Sequence, residues 1–262
     1  MIKGYIFDLD GTIYLGDKII DGASETINFL KSKGHKVVFL TNKSITSRKD
    51  IVNKLNNFGI NAQLEEVINS NLVTANFLKE NLNSEDSVLT IGEQPLIDEL
   101  EEHNVNITDN PLEAKYVVLA WDRKFNYDKL NAAFQATKNG ARVIATNVDR
   151  TCPIEDKKEI PDCGAMIGAL EGATGKPVDR IMGKPSRYIV EFVIKKTLHM
   201  DYSQCYIIGD RLETDIKMAN ENGIESILVL TGVSDKEMLN YSKYKPTYVM
   251  DRVNDIIEFL KS

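Results

Sequence analysis

The segment Gly4-Tyr5-Ile6-Phe7-Asp8-Leu9-Asp10-Gly11-Thr12 ends an apolar run in two carboxylates two residues apart. In an extended chain residues i and i+2 project to the same side. Asp8 and Asp10, at and just past a strand end, can therefore serve one reaction centre. The pair suits phosphoryl transfer to an aspartate. Asp8 would attack phosphorus, with its charge balanced by Mg2+. Asp10 would protonate the leaving oxygen and later take a proton from water. Gly11 supplies a turn that a residue with a Cβ resists. Taken alone, the segment also reads as a strand running into an acidic turn.

Three further segments sharpen the first reading. The apolar run Val37-Val38-Phe39-Leu40 is followed by Thr41-Asn42-Lys43-Ser44, which sets a hydroxyl and an amide at a strand end before a helical segment. Both side chains can donate to phosphate oxygens, as can free backbone N–H groups. The same residues also suit a helix cap. Met182-Gly183-Lys184-Pro185 holds a lysine between Gly and Pro, a poor context for a helix interior. It suits a fixed cation that neutralises a phosphate and the attacking carboxylate. Finally, Tyr206-Ile207-Ile208 leads into Gly209-Asp210-Arg211-Leu212-Glu213-Thr214-Asp215, an acidic loop opening a helix. Asp210 is a further Mg2+ ligand on this pattern. Asp215 either bonds metal-bound water, orients Lys184, or simply sits where acidic residues favour a helix start.

Four apolar runs thus end in Asp, Thr, Lys and Asp, in that order. The order and flanks resemble the haloacid dehalogenase superfamily of aspartate-nucleophile phosphotransferases. The marks Thr41-Asn42, Thr146-Asn147-x-Asp149, Gly164, Met182 to Pro185, and Gly209-Asp210 with Thr214-Asp215 resemble its NagD-like, p-nitrophenylphosphatase-like branch (class IIA). The likeness spans essentially the whole chain. It implies a Mg2+-dependent phosphatase of small phosphomonoesters, working through an aspartyl-phosphate on Asp8. Asp10 would be the acid and base, with Mg2+ on Asp8, the Asp10 backbone carbonyl and Asp210. Thr41, Asn42 and Lys184 would hold the phosphoryl group, and Asp215 would stand behind them. The likeness further implies an inserted cap domain, with Asn147, Asp149 and Arg150 reading the substrate. It also admits a homodimer through that domain. Two departures stand out: Lys43 where relatives often carry Asn, and Ala120 where they often carry Gly. A phosphomutase, or a sensor phosphorylated on Asp8 without turnover, is the alternative. A leaving-group acid at Asp10 is of little use to a sensor.

Composition agrees. Of 262 residues 42% are hydrophobic, enough for a real core and against disorder. Net charge is −7, from 32 basic and 39 acidic residues, with no basic run or basic-aromatic interleaving to suggest nucleic acid. Three cysteines make no disulfide framework. No signal-peptide pattern opens the chain, and no apolar stretch approaches the ~20 residues of a membrane span. A reducing, cytoplasmic setting is the expectation.

Strand and helix signals alternate, which predicts an α/β fold: a Rossmann-like, doubly wound parallel sheet with an inserted α/β domain. Strands are predicted at 2–7, 36–40, 88–91, 116–120, 142–145, 205–208 and 226–230, and helices at 24–32, 47–57, 128–138, 165–174, 214–222 and 253–261. The core domain is placed at 1–79 and 180–262, resuming with a strand at 180–182, and the insertion at 80–179. The loop from Ala145 to Arg150, continued through 151–162 to Met166, is the substrate-reading segment. Cys152 and Cys163 lack the CxxC or His partners of a zinc site. His35, His103 and His199 read as surface or capping residues. Trp121-Asp122 reads as a strand end, and 98–102 as a solvated helix face.

Overall fold

A computed structural model describes residues 1–154 and 158–261. Residues 155–157, part of the expected substrate-reading segment, lie outside the described residues. The chain divides into two compact units. One comprises residues 1–41, 48–68 and 184–262; the other comprises 42–47 and 69–183.

The first unit is built on a six-stranded sheet. Its order is Tyr248–Met250, Glu225–Val229, Cys205–Gly209, Gly4–Asp8, Lys36–Thr41, Val67–Asn69. The pairings from Lys36–Thr41 across to Tyr248–Met250 are parallel. Every residue of Gly4–Asp8 is buried, as expected of a central parallel strand covered on both faces. Tyr5, Phe7, Phe39, Ile208 and Ile227 form one core with Ile27 and Leu30 of helix Ala23–Ser32 and Ile51 and Leu55 of helix Arg48–Asn57. Phe7 is level with Ile208 on one side and Phe39 on the other. Asp8, Thr41 and Gly209 therefore finish at the same edge of the sheet. In chain order the first strand of this sheet lies between the fourth, Cys205–Gly209, and the second, Lys36–Thr41. That is the switch point where open α/β sheets place their ligands.

The second unit carries a five-stranded sheet in the order Arg180–Ile181, Arg142–Ala145, Ala114–Leu119, Ser87–Ile91, Asn106–Ile107, with all pairings parallel. An antiparallel pair, Thr151–Ile154 with Lys158–Pro161, stands where an irregular loop was expected. Helices Ser70–Asn81, Gln94–Glu102, Tyr127–Lys138 and Cys163–Thr174 complete it. Asn69, Asn126 and Asp162 cap three of these helices through their side chains.

Three expectations need correction. The strand at Arg180–Ile181 does not resume the first sheet. It pairs with Ile144 and Ala145 of the second, because Asp179 N and Met182 N donate to Val143 O and Ala145 O. Helix Ser70–Asn81 also belongs to the second unit, where Phe77 meets Tyr116 edge-on at 6.0 Å. The boundaries fall near 69 and 183, not 80 and 179. The run 98–102 is not wholly solvated either: Glu99 is buried, 3.6 Å from the His103 imidazole. Trp121 and Asp122 are buried, and Asp122 pairs with Lys129 at 2.5 Å. Among the described residues no helix is long and apolar enough to cross a membrane.

Candidate active site

Strand Gly4–Asp8 delivers Asp8, strand Lys36–Thr41 delivers Thr41, and strand Cys205–Gly209 runs directly into Asp210. Beyond Asp210 a wide π-helical turn, Leu212–Ile216, brings Asp215 back under the strand end. Asp8, Asp210 and Asp215 are buried, with carboxylate oxygens within 4.8 Å of one another. Lys184, also buried, bonds Asp8 Oδ1 and lies 2.7 Å from Asp215 Oδ1. The other Asp215 oxygen accepts the Arg211 N–H at 3.2 Å. Asp215 is thus engaged through both oxygens and holds Lys184 in place.

Asp210 differs. Its Oδ2 accepts the Val233 N–H at 2.6 Å, while its Oδ1 is buried without a hydrogen-bond partner. Three buried carboxylates against one ammonium leave excess negative charge. Burial, then the charges of Asp8 and Asp215, push the Asp210 carboxyl up to about 8. Burial raises Asp215 to about 6 against the opposing pull of Lys184. Burial alone would lower the Lys184 ammonium, yet Asp215 and then Asp8 overcome it and hold Lys184 above the ordinary lysine value. An orphaned carboxylate oxygen among hard oxygen donors fits a divalent cation such as Mg2+.

Glycines make the approach possible. A Cβ on Gly11, whose φ is +90°, would lie 2.5 Å from Asp210 Oδ2, and one on Gly232 would collide with the same oxygen. A Cβ on Gly209 would strike Asp215. The loop after strand Glu225–Val229 closes the site from below. Thr231 donates to Gly11 O at 2.6 Å, Ser234 N donates to Asp210 O at 3.1 Å, and Ser234 Oγ accepts from Leu212 N at 3.1 Å. Sequence reasoning missed this loop. A small polar Thr-Gly-Val-Ser run after a buried strand was its only signal. The Tyr14 phenol is raised first by burial and then by Asp10 and Asp8.

The remaining expected residues lie in the second unit. Asn42 Nδ2 donates to Asp149 Oδ2 at 2.8 Å, and Asn147 Nδ2 donates to Asp149 Oδ2 at 2.9 Å and to Asp162 Oδ1 at 3.0 Å. Thr146 Oγ1 in turn donates to Asn147 Oδ1 at 2.9 Å. Asn147 and Asp149 therefore build a network that sets the Asn42 amide, while Arg150 is an exposed cation. Gly164 passes so close to Val148, Asp149 and Arg150 that a Cβ would meet their backbone. Among the described residues Cys152 and Cys163 join no cluster of metal-type donors. Burial pushes the Cys163 thiol up to about 12.

An α/β fold with a buried carboxylate–lysine cluster at the switch point of its sheet defines the class. Comparison with known proteins carries the assignment further. The family description "Haloacid dehalogenase-like hydrolase" matches residues 5–106, and "HAD-hydrolase-like" matches 181–256. Sugar-phosphatase AraL of Bacillus subtilis is 39% identical over 253 residues, covering 97% of this chain and 91% of AraL. The p-nitrophenyl phosphatase structure from Archaeoglobus fulgidus superposes with a TM-score of 0.93 at 35% identity, over 98% of this chain and 99% of that one. NagD from E. coli K-12 gives 0.87 at 30% identity, over 97% and 98%. The chain belongs to the haloacid dehalogenase-like hydrolases. Within that family its likeness is to the NagD-like, p-nitrophenylphosphatase-like branch.

Proposed function

We propose that the protein is a phosphoric monoester hydrolase acting on small phosphate esters through an aspartyl-phosphate. The observation that carries the chemistry is the buried Asp8 carboxylate, tied to Lys184 at the strand end. Asp8 attacks phosphorus in line, and the bond from phosphorus to the ester oxygen breaks. Asp10 gives its proton to that leaving oxygen. Asp10 then takes a proton from water, whose oxygen attacks phosphorus and releases phosphate from Asp8. Thr41, Asn42 and Lys184 hold the transferring group, and Lys184 offsets its charge. When held by Asp8, the Asp10 backbone carbonyl and the open Asp210 Oδ1, Mg2+ supplies the positive charge that lets an anionic nucleophile meet an anionic substrate. Three free thiols, with Cys163 and Cys205 buried, agree with a reducing cytoplasmic setting.

The second unit is assigned substrate choice, with Arg150 as one of its exposed cations. The names of the relatives, a sugar phosphatase and p-nitrophenyl phosphatases, support small organic phosphates as the substrate class. The test is phosphate release from p-nitrophenyl phosphate and from sugar, nucleoside and glycolate phosphates. Steady turnover of at least one ester is expected. Phosphorylation without turnover across the whole panel would sink the hydrolase reading.

A related expectation concerns Asp149. If its carboxylate sets the Asn42 amide, Asp149→Ala removes the hydrogen bonds from both Asn42 and Asn147, of which the charge-assisted one to Asn42 is worth roughly 1–2 kcal/mol. KM for the best substrate is expected to rise about five- to twenty-fold with kcat little changed. An unchanged KM in steady-state kinetics would leave Asp149 without this role.

A further inference from the structure

A short hairpin follows the catalytic turn. Tyr14–Leu15 pairs antiparallel with Lys18–Ile19, in the register Tyr14 with Ile19 and Leu15 with Lys18. Two strands of two residues are marginal on their own, so something outside the hairpin must hold it. Its first residue is locked to the acid-bearing turn. Tyr14 O accepts the Gly11 N–H at 2.7 Å, and Asp10 and Tyr14 form an isolated β-bridge. Any shift of Tyr14 therefore moves the backbone of Asp10 and Gly11.

Helix Arg48–Asn57 supplies the hold. Its Ile51 and Leu55 are buried, and Lys54, beside them on the same side, reaches the hairpin. Lys54 Nζ donates to Gly16 O at 2.7 Å and to Asp17 Oδ1 at 3.1 Å, and lies 4.3 Å from the centroid of the Tyr14 ring. Gly16 has a φ of +56°, and the backbone turns there so that its carbonyl meets the ammonium. These three contacts are not equal. Asp17 is 97% exposed, so its ion pair contributes little. The Lys54 side chain is only 30% exposed and the Tyr14 ring is buried, so the carbonyl and ring contacts are the sheltered ones. Phe58, 6.0 Å away, packs against the same ring.

We propose that Lys54 is a positioning residue for Asp10. It pins the hairpin by the Gly16 carbonyl and the Tyr14 ring, and so fixes the turn from which Asp10 delivers its proton. This rests on the reading of Asp10 as general acid. Lys54 touches no reacting atom.

The leaving group makes the test specific. An alkyl phosphate needs protonation of its leaving oxygen, whereas p-nitrophenolate departs without it. Lys54→Met keeps the aliphatic stem and removes the charge. Its kcat/KM, which reports the step that expels the leaving group and not the later hydrolysis common to both esters, is expected to fall about ten-fold on an alkyl phosphate and less than about three-fold on p-nitrophenyl phosphate. Lys54→Arg should restore most of the difference, and Asp17→Asn should change neither rate by more than about two-fold. Hydrogen exchange at the Gly11 amide of Lys54→Met should quicken about ten-fold or more. Equal loss on both esters, or unaltered exchange, overturns the proposal. Asp10→Asn separates the two layers. If it loses no more on the alkyl ester than on the nitrophenyl ester, Asp10 is not the acid, and Lys54's part in proton delivery falls with it.

Discussion

Asp8→Asn is expected to lower phosphate release by about a thousand-fold or more, because an amide oxygen is a far weaker nucleophile than a carboxylate. The substitution keeps shape and size in a buried position between strand neighbours level with Leu40. Asn Oδ1 can still accept from Lys184, which retains its 2.7 Å partner Asp215. The fold should therefore persist. Removing one of three clustered negative charges relieves Asp210, whose raised carboxyl owes part of its shift to Asp8. The metal-free variant should accordingly melt no lower than the parent. Steady-state turnover of p-nitrophenyl phosphate, read beside a thermal melt, checks both statements. A variant within about ten-fold of the parent rate would show that the nucleophile lies elsewhere.

The second large effect is metal removal. EDTA is expected to abolish turnover and Mg2+ to restore it, since the single Lys184 ammonium is set against three clustered carboxylates. The pH dependence has a definite sign. In the folded, metal-free protein Asp210 sits near 8 instead of its ordinary 3.8. The folded chain therefore holds a proton that the unfolded chain has already released. The stability this group contributes is full below its ordinary value and is lost as pH rises toward about 8. Asp215, near 6, adds to the lower part of that window. The metal-free protein should lose thermal stability between pH 5 and 8, and Mg2+, which competes with that proton, should return more of it at pH 8 than at pH 5. At a hundred-fold excess over Kd the ion contributes about 2.7 kcal/mol, or roughly 5–10 °C in midpoint. Asp210→Asn should flatten the metal-free pH dependence and remove the Mg2+ response. A thermal shift series over pH, with and without Mg2+, decides it. An Asp210→Asn protein that Mg2+ stabilises as well as the parent would refute Asp210 as ligand.

Much of the cluster was legible because Asp8 ends an apolar run and Thr41 and Asp210 stand directly after strand residues. Asp8, Thr41 and Asp210 need only a parallel sheet to bring strand ends to one edge, and alternating strand and helix signals give that sheet. Period and chain order are local properties, so the sequence determined the α/β class, the four strand-end motifs and the charge excess that calls for a cation.

Tertiary structure decided the rest. Arg180–Ile181 is too short to declare its sheet, and only its hydrogen bonds to the strand Arg142–Ala145 assign it. Helix Ser70–Asn81 carries an apolar pattern that would suit either unit, and its packing of Phe77 on Tyr116 chose one. The Asn42 amide faces Asp149 across 107 positions of chain, and Lys54 meets Gly16 across 38. Nothing in the spacing of those residues foretells either contact. A side chain's type and local period are written in neighbouring residues, whereas its partner is fixed by register and packing among segments far apart in the chain.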